Sequence, residues 1–599
     1  MRKLKGWLLA ALLTLAGSTQ AYVTLKQIDG RWWFMDGSKK FFSVGSDCVE
    51  GCYGHYEEKP LAPERKAGAL KLMNGWGFNS AGGWSSPSVW DSLYFADQIY
   101  PPVNIEWDDL FDPALWTRFD TDIVKELTPF LKKPKFMGYF LSNEPAWKAE
   151  PLFNLYRAMK PSAPGSQALV KFAQTYYKND LARLNREWGT SFSKFEALAG
   201  SKEPAKPTEM MEQKFFKAWR IEVAAYFYKQ YAAAVRKHDP DHLILGIRAA
   251  GMDPEFLIGI SGPFDAVSAN VYDRFGEVPQ GFAEINKATG KPCMVTEWSF
   301  SSYPAAGSKS LQYIEVFSEA AKGFGYTKFI KNLATAPFMV GSHWFLYEDY
   351  DKAQVMLGPY YPDEAMGLVS AIDGTPHKEF GEWAKKANQN VEAWHSTGKW
   401  NSTPTPTPEA TRDFPALTPK LDGKLDEWGP AQLLKTGIGH SLYANVKPKD
   451  RYYLAKDKDF VYVAGEVFDD HINAGEPGWN WECDYLGFKL FPPAREDGLD
   501  HKSYFAILPT GGAGGGPGIG ADAYVHPWTA AKDPKAMAKA SVVRLYTRTG
   551  FTFEAAIPVA AIIDFNDRKK DQVWMGAVLY HNTSDVYETY AAVNLKIKD

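Results

Sequence analysis

Cysteine is scarce in this chain of 599 residues: there are 4. None of them has Cys-x-x-Cys spacing, so neither a zinc ribbon nor a dense disulfide framework is available. An excess of one charge is missing as well, because 67 Lys+Arg face 71 Asp+Glu and leave a net charge of −4. That balance supplies no basic surface for nucleic acid or for an anionic membrane. After the first residues no apolar run is long enough to span a bilayer, so no membrane insertion of the mature chain is expected. The 11 His form no cluster with Asp and Glu that demands a catalytic metal, and no catalytic cofactor is expected. What the chain has in quantity is aromatic surface: 15% Phe, Trp and Tyr, including 21 Trp. Such side chains fill large cores and also offer flat apolar faces with polar edges to a ligand. The length predicts two or more domains.

Residues 1–21 read as a secretory signal peptide, with a basic start, a short apolar core from Trp7 to Ala16, and small residues up to a cut after Ala21. No Cys follows that cut, which argues against a lipid anchor. The mature chain is expected to be secreted or periplasmic. Cys48 and Cys52, four apart, either pair or remain two buried thiols; Cys293 lies in an apolar run and Cys483 far downstream.

The clearest boundary is Ser402-Thr-Pro-Thr-Pro-Thr-Pro-Glu409. Alternating Pro and Thr favours extended polyproline geometry without a core, so residues 398–412 read as a semi-rigid linker. Upstream, in residues 22–397, eight short apolar runs alternate with helical stretches: Phe41–Asp47, Phe78–Trp84, Ile99–Trp107, Phe136–Glu144, Leu243–Ala249, Asp265–Tyr272, Pro292–Trp298 and Met339–Leu346. Between the fourth and fifth runs, Phe216, Trp219, Val223, Phe227, Tyr231 and Ala234 recur at spacings of three and four, which predicts a helix. Strand then helix, eight times, predicts an α/β fold of the (β/α)8 TIM-barrel type, whose active site lies at the C-terminal ends of the strands. Residues 145–210 read as an insertion after the fourth strand with helices of its own. Downstream, residues 413–599 contain short β-branched and aromatic runs separated by turn residues, which predicts a C-terminal all-β sandwich domain. The glycine-rich stretch Gly511–Gly520 lacks the Lys-Ser/Thr of a phosphate loop and reads as a surface loop.

Two runs end in carboxylates. Gly138-Tyr-Phe-Leu-Ser-Asn-Glu-Pro145 brings Asn143 and Glu144 to the rim after strand four, and Pro292-Cys-Met-Val-Thr-Glu-Trp298 brings Glu297 to the end of strand seven. Cleaving a glycosidic bond needs one carboxyl group protonated, to donate to the leaving oxygen, and a second ionised, to attack the anomeric carbon. A separation of roughly 5 Å retains configuration, and a wider gap admits water and inverts it. Each carboxylate also raises the proton affinity of the other. Taken singly, either glutamate fits a rim salt bridge equally well.

Asn-Glu after strand four and Glu after strand seven resemble the clan A retaining glycoside hydrolases. Within that clan, Gly30-Arg-Trp-Trp-Phe, Phe41-Phe-Ser-Val-Gly, Gly77-Phe-Asn-Ser-Ala-Gly-Gly-Trp-Ser85, Asp239-Pro-Asp-His-Leu-Ile-Leu-Gly-Ile-Arg248 and Asn270-Val-Tyr272 are similar to segments of the family fifty β-agarases. Leu184-Asn-Arg-Glu-Trp-Gly-Thr190 resembles family forty-two β-galactosidases, and Thr296-Glu-Trp-Ser299 departs from the agarase pattern. The resemblance implies a β-glycoside hydrolase acting on a polysaccharide or its oligosaccharides, agarose or another β-galactan among them. It implies Glu144 as acid/base, Glu297 as nucleophile and Tyr272 as a hydrogen-bond donor to the nucleophile, with Trp344 stacking under the sugar; the alternatives are a packed phenol for Tyr272 and a core position for Trp344. Arg248 is expected to orient a carboxylate or a hydroxyl, or to form a structural ion pair. Trp84, His343, Asp47 and Glu106 sit near other strand ends, with His343 expected as a wall residue. The rival reading is a non-catalytic glycan-binding protein on a degenerate barrel.

Downstream, Leu421-Asp-Gly-Lys-Leu-Asp-Glu-Trp428, Val467-Phe-Asp-Asp470, Trp481-Glu-Cys-Asp-Tyr485 and Phe553-Glu-Ala-Ala-Ile-Pro558 resemble family-nine carbohydrate-binding modules. Trp479, Trp481 and Trp528 then become stacking candidates. Asp and Glu near its strand ends offer oxygen ligands for a structural Ca²⁺.

Overall fold

The computed structural model describes residues 22–52, 63–200, 208, 211–272, 278–302, 315–316, 319–349, 366–370, 373–400, 409–441, 449–468, 485–490, 503–509, 523–527, 534–547, 550–562, 573–582 and 587–596. The expected signal peptide, most of the Thr-Pro stretch, the Gly511–Gly520 loop, Cys483, Trp479, Trp481 and Trp528 lie outside these residues.

A curled sheet of nine parallel strands organises the first part of the chain. Its spatial order is Leu243–Ile244, Phe136–Phe140, Tyr94–Gln98, Ser80–Ala81, Ser43–Ser46, Met339–Trp344, Cys293–Glu297, Val267–Asn270 and Ala249–Ala250. Both ends of this path come from one segment. Leu243–Ile244 pairs with the Phe136 strand and Ala249–Ala250 with the Val267 strand. Between them Gly246 has φ +103°, and a Cβ there would lie 2.7 Å from Ser268 Oγ. Only glycine therefore lets the chain pass from one neighbour to the other. Helices follow the strands, among them Pro113–Leu127, Lys217–His238, Gln280–Thr289, Glu319–Thr335 and Lys378–Thr397. The Lys217–His238 helix buries Trp219, Val223, Phe227, Tyr231 and Ala234, the face its periodicity predicts. Helices Ala149–Ala158, Pro164–Tyr176 and Leu181–Trp188 occupy the expected insertion.

One run was misplaced. The third strand is Tyr94–Gln98, and Ile99–Trp107 is the loop that follows it. Pro101 and Pro102 have no amide hydrogen to donate to a ladder, which is why that run cannot be a central strand.

A three-stranded antiparallel sheet, Thr24–Ile28, Arg31–Asp36 and Lys39–Phe41, precedes the parallel strands. Its Phe34 and Phe41, with Val23, pack against Met137, Leu245, Met294 and Val340, at or near the starts of the parallel strands. That packing covers the N-terminal end of the sheet. Cys48 and Cys52 form a disulfide just beyond the first parallel strand, and Cys293 is a buried free thiol.

After the Thr-Pro stretch come two further sheets. One contains Glu409–Asp413, Tyr587–Lys596, Val573–Asn582, Tyr485–Leu490, Ser503–Pro509 and Ala523–Pro527, with Thr436–Ser441 also on the Tyr587 strand. The other is Arg451–Lys456, Phe460–Phe468, Gly550–Pro558 and Ser541–Thr547. All pairs are antiparallel except Glu409–Asp413 with Tyr587–Lys596. The strand at Glu409 thus begins inside the stretch read as linker. Tyr452, Leu454, Val461, Val463, Phe551, Phe553 and Ile557 form the core here.

The Leu421–Trp428 motif has a structural job. Glu554, fully buried, accepts hydrogen bonds from the amides of Asp422 (2.9 Å) and Gly423 (2.7 Å) and from Trp428 Nε1 (2.8 Å). One carboxylate therefore clamps the turn to the sheet. Among the described residues no group of three His, Cys, Asp or Glu is arranged to hold a metal ion. Replacing Glu554 by Ala strands two buried donors and one partly buried one, and should lower stability by about 3 kcal/mol in urea unfolding. Gln, which keeps one acceptor oxygen, should lose less, and equal losses for Ala and Gln would refute the clamp.

Candidate active site

Beyond Phe140 the fourth strand stays tied to the fifth segment: Leu141 N donates to Gly246 O (2.8 Å) and Glu144 N to Arg248 O (3.1 Å). Glu144 has φ +48° and an exposed side chain. That is a left-handed turn, which a non-glycine residue adopts only under strain. Its Oε1 accepts from Asn270 Nδ2 at 2.9 Å. Asn270 ends the sixth strand opposite Glu297, which ends the seventh. The same Nδ2 lies 3.3 Å from Asn143 Oδ1, and Asn270 Oδ1 accepts from Thr296 Oγ1 (2.8 Å), which fixes the amide's orientation. Glu297 is 6% exposed and held at both oxygens: Oε1 by Arg248 Nη2 (2.6 Å) and Oε2 by Tyr272 OH (3.1 Å).

Arg248 joins these groups. Its guanidinium is fully buried and donates from Nε to Asn143 Oδ1 (2.7 Å) and from Nη2 to Glu297 and to Asp47 Oδ2 (3.0 Å). The Trp84 ring lies 4.8 Å from it and the Phe140 ring 5.5 Å. Burial alone would lower the Arg248 pKa, but Asp47 and Glu297 together hold it above its ordinary value and firmly charged. One cation therefore serves two buried carboxylates. Burial pushes Glu297 up from the carboxylate range against the pull of Arg248, and the charges of Asp47 and Glu144 push the same way. Asp47 is raised by burial too, with Arg248 opposing. His343, fully buried 3.2 Å from Ser43 Oγ, is pushed down to about 3 by burial and by Arg248. A neutral imidazole with no access to solvent is a wall group, not a base.

The structure brings Asn143, Glu144, Arg248, Tyr272 and Glu297 together, with Trp84 against Arg248 and His343 behind Asp47 (Nδ1–Oδ1 3.7 Å). Trp344 is placed otherwise. It is 1% exposed, donates from Nε1 to Met366 O (2.9 Å) and packs edge-on against Trp298, so it offers no open face for a sugar. Glu106 stands apart on the largely exposed Ile99–Trp107 loop, beside a cavity that Asn143 also lines. Two residues escaped the sequence reading as site residues. Asn270 bridges Glu144 and Asn143, and its signal was an amide at a strand end two residues before Tyr272. Tyr100, which lies near the Trp84 side chain and within electrostatic range of Glu297, was hidden in the run expected as a strand.

No family model matches the chain. In sequence it is 25% identical over 351 residues to β-agarase B of Vibrio sp. (strain JT0107), covering 54% of this chain and 36% of that protein. It is 24% identical over 371 residues to β-agarase A of the same strain, covering 56% and 36%. Its homologues are β-agarases. The chain spans 36% of the length of these curated relatives. Its fold is shared with the crystal structure of an agarase and with that of an exo-β-agarase, each at 19% identity and TM-score 0.53, covering 63% of this chain and 65% of the other. Among the described residues no helix is long and apolar enough to cross a membrane.

A carboxylate whose folded pKa is raised is fully tolerated while protonated, and it costs stability as pH rises from its unfolded value through its folded one. Glu297→Gln removes that cost. The variant should melt above the native protein at pH 8, by roughly 0.5–2 kcal/mol, with the difference vanishing near pH 4. Thermal melts across that range test this, and a variant less stable at every pH would contradict the raised affinity.

Proposed function

We propose that the chain is an exported, retaining β-glycoside hydrolase that cleaves agarose or a related neutral β-galactan and its oligosaccharides. On this reading the nine-strand path is a closed (β/α)8 barrel and the two C-terminal sheets form a β-sandwich resembling family-nine carbohydrate-binding modules. The observation that carries the reading is the pair of carboxylates at the ends of the fourth and seventh expected strands, in unlike surroundings. Glu144 is open to solvent, while Glu297 is buried and held at both oxygens. Unlike environments are what separate the roles of two carboxylic groups. The homology to β-agarases supports a polysaccharide as substrate.

In the first step a Glu297 oxygen attacks the anomeric carbon as the glycosidic bond breaks, and Glu144 gives its proton to the departing oxygen. A covalent glycosyl-enzyme results. In the second step Glu144, now a carboxylate, takes a proton from water, whose oxygen attacks the same carbon and frees Glu297. Arg248 and Tyr272 orient the attacking carboxylate, Arg248 opposes its protonation, and Asn270 aims Glu144.

Purified protein should release oligosaccharides from agarose, and proton NMR of the first product should show the retained anomer. In Glu297→Ala, azide should rescue activity as an inverted glycosyl azide; in Glu144→Ala, with a dinitrophenyl glycoside, it should give the retained one. The reverse pattern exchanges the two roles, and undiminished hydrolysis in Glu297→Ala leaves the glycan-binding reading.

Activity needs Glu297 ionised, so it should fall as pH drops through a pKa above the usual carboxylate range. Arg248→Met should move that acidic limb to still higher pH, because Asp47 and Glu144 then act on Glu297 unopposed. A limb that stays in place would remove Arg248 from the electrostatics of the site.

A further inference from the structure

One carboxylate at the site takes no part in the two steps of the hydrolase reading. Asp47 lies just beyond the first parallel strand and is fully buried, where Glu297 is 6% exposed. Its backbone is fixed from the side of the eighth expected strand: Asp47 N donates to Trp344 O (2.9 Å), and Tyr347 N donates to Asp47 O (3.0 Å). Its Oδ2 accepts from Arg248 Nη2 at 3.0 Å, the nitrogen that also donates to Glu297 Oε1 at 2.6 Å. Its Oδ1 lies 3.7 Å from Nδ1 of the neutral His343. Arg248 is therefore the one cation that Asp47 meets among the described residues. The chain after the second strand leaves room for this pair. A Cβ on Gly82 would overlap Asp47 Oδ1 and lie 2.6 Å from His343 Nδ1, and one on Gly83 would overlap Gln98 Oε1 and lie 3.1 Å from Arg248 Nη1. Two successive residues without side chains thus make the space in which aspartate and guanidinium meet. A third buried carboxylate, Asp97, is occupied elsewhere: its Oδ1 accepts from Trp84 N (3.0 Å) and Gln98 N (2.9 Å), and it reaches Arg248 and Asp47 through its charge.

Charge balance over the reaction gives this second carboxylate a task. Forming the glycosyl-enzyme makes a bond from a Glu297 oxygen to the anomeric carbon and breaks the bond to the leaving oxygen, which takes the Glu144 proton. Negative charge vanishes from Glu297 and appears on Glu144, which is exposed and hydrogen-bonded to Asn270 rather than to Arg248. Were Glu297 the only counter-ion of Arg248, each turnover would strand a fully buried guanidinium, and a buried charge without its partner is strongly disfavoured. The same pairing would hold Glu297 back from attack. Asp47 meets both difficulties. Before the reaction it divides the hold of Nη2, and after it one ion pair remains. The groups facing Glu297 are Arg248, Tyr272, Asp47 and Glu144, with Tyr100 in electrostatic range; those facing Asp47 are Arg248, His343, Glu297 and Asp97, with the Gly83 amide. Arg248 is the one positive charge in either set.

We propose that Asp47 is a positioning residue that keeps Arg248 paired while Glu297 is esterified, and so frees the charge of Glu297 for attack. The proposal rests on the hydrolase reading, and Asp47 acts through Arg248 without touching the sugar. Asp47→Asn keeps the shape of the side chain and removes its charge. With a neutral agarose tetrasaccharide, the acidic limb of kcat/KM should move to lower pH by about 1 pH unit, because Arg248 then opposes protonation of Glu297 unshared. The β-fluoride of an agarose disaccharide fluorinated at C2 should label the protein at least about tenfold more slowly, read by intact mass, because the glycosyl-enzyme now holds an unpaired cation. The same substitution made in Arg248→Met should again lower the limb but slow labelling less, since no cation is left to strand. If Asp47→Asn alone does not fold, the limb in the Arg248→Met pair decides. A limb unmoved by loss of the Asp47 carboxylate overturns the proposal and leaves a structural ion pair, and equal slowing of labelling in the two backgrounds overturns the part given to Arg248. Native protein that neither cleaves the tetrasaccharide nor takes up the fluorinated sugar overturns the hydrolase reading instead.

Discussion

A single buried guanidinium holds the candidate site together. Arg248 reaches Asn143, Glu297 and Asp47 from three directions, so the ends of the first, fourth, fifth and seventh parallel strands meet at one cation. A buried charge is tolerated only when it is paired and hydrogen-bonded, and here the pairing is shared between two carboxylates. That sharing leaves negative charge in excess. Burial raises the proton affinity of Glu297 and Asp47 against the pull of Arg248, and for Glu297 the charges of Asp47 and Glu144 add to it. Asn270 and Tyr272, at and just beyond the end of the sixth strand, complete the arrangement by holding Glu144 and the second oxygen of Glu297.

The backbone around this cation is strained in a way that ordinary strands are not. Cys48, Glu50, Trp84, Glu144 and Arg248 all have positive φ, and all lie just beyond, or at the end of, parallel strands. Each such residue costs of order 1–3 kcal/mol and persists only where its surroundings over-determine it. The surroundings here include the Cys48–Cys52 disulfide, Glu144 N on Arg248 O, and Trp84 N on Asp97 Oδ1 at 3.0 Å. The opposite end of the sheet is filled instead with the apolar side chains of Phe34, Phe41, Met137 and Met294. Strain and shared charge thus gather at the end where a ligand can reach.

Buried carboxylates do different work in the two parts of the chain. Glu554 is satisfied by three donors of its own region and simply anchors the Leu421–Trp428 turn. Glu297 is also held at both oxygens, but one of its donors is shared with Asp47 and the neighbouring Glu144 is open to solvent. The first acid is fully satisfied within its own region, whereas the second shares its cation beside a partner open to solvent.

The alternation of apolar runs with amphipathic helices, and the two glutamates closing such runs, were legible in the sequence, because strand period, helix period and strand-end chemistry are local properties of the chain. The Lys217–His238 helix face and the strands from Phe460 onward follow the same logic. What the tertiary structure alone decided is long-range. Arg248 and Asp47 are 201 residues apart, and Asn270 and Glu144 are 126 apart, so no spacing rule could have paired them. The same holds for Trp344, whose strand-end position suggested a sugar platform until its neighbours Trp298 and Met366 enclosed it. Local pattern chose the elements and named the two carboxylates. Which cation they share, which amide joins them and which aromatic rings stay open were settled only when the strands came to lie side by side.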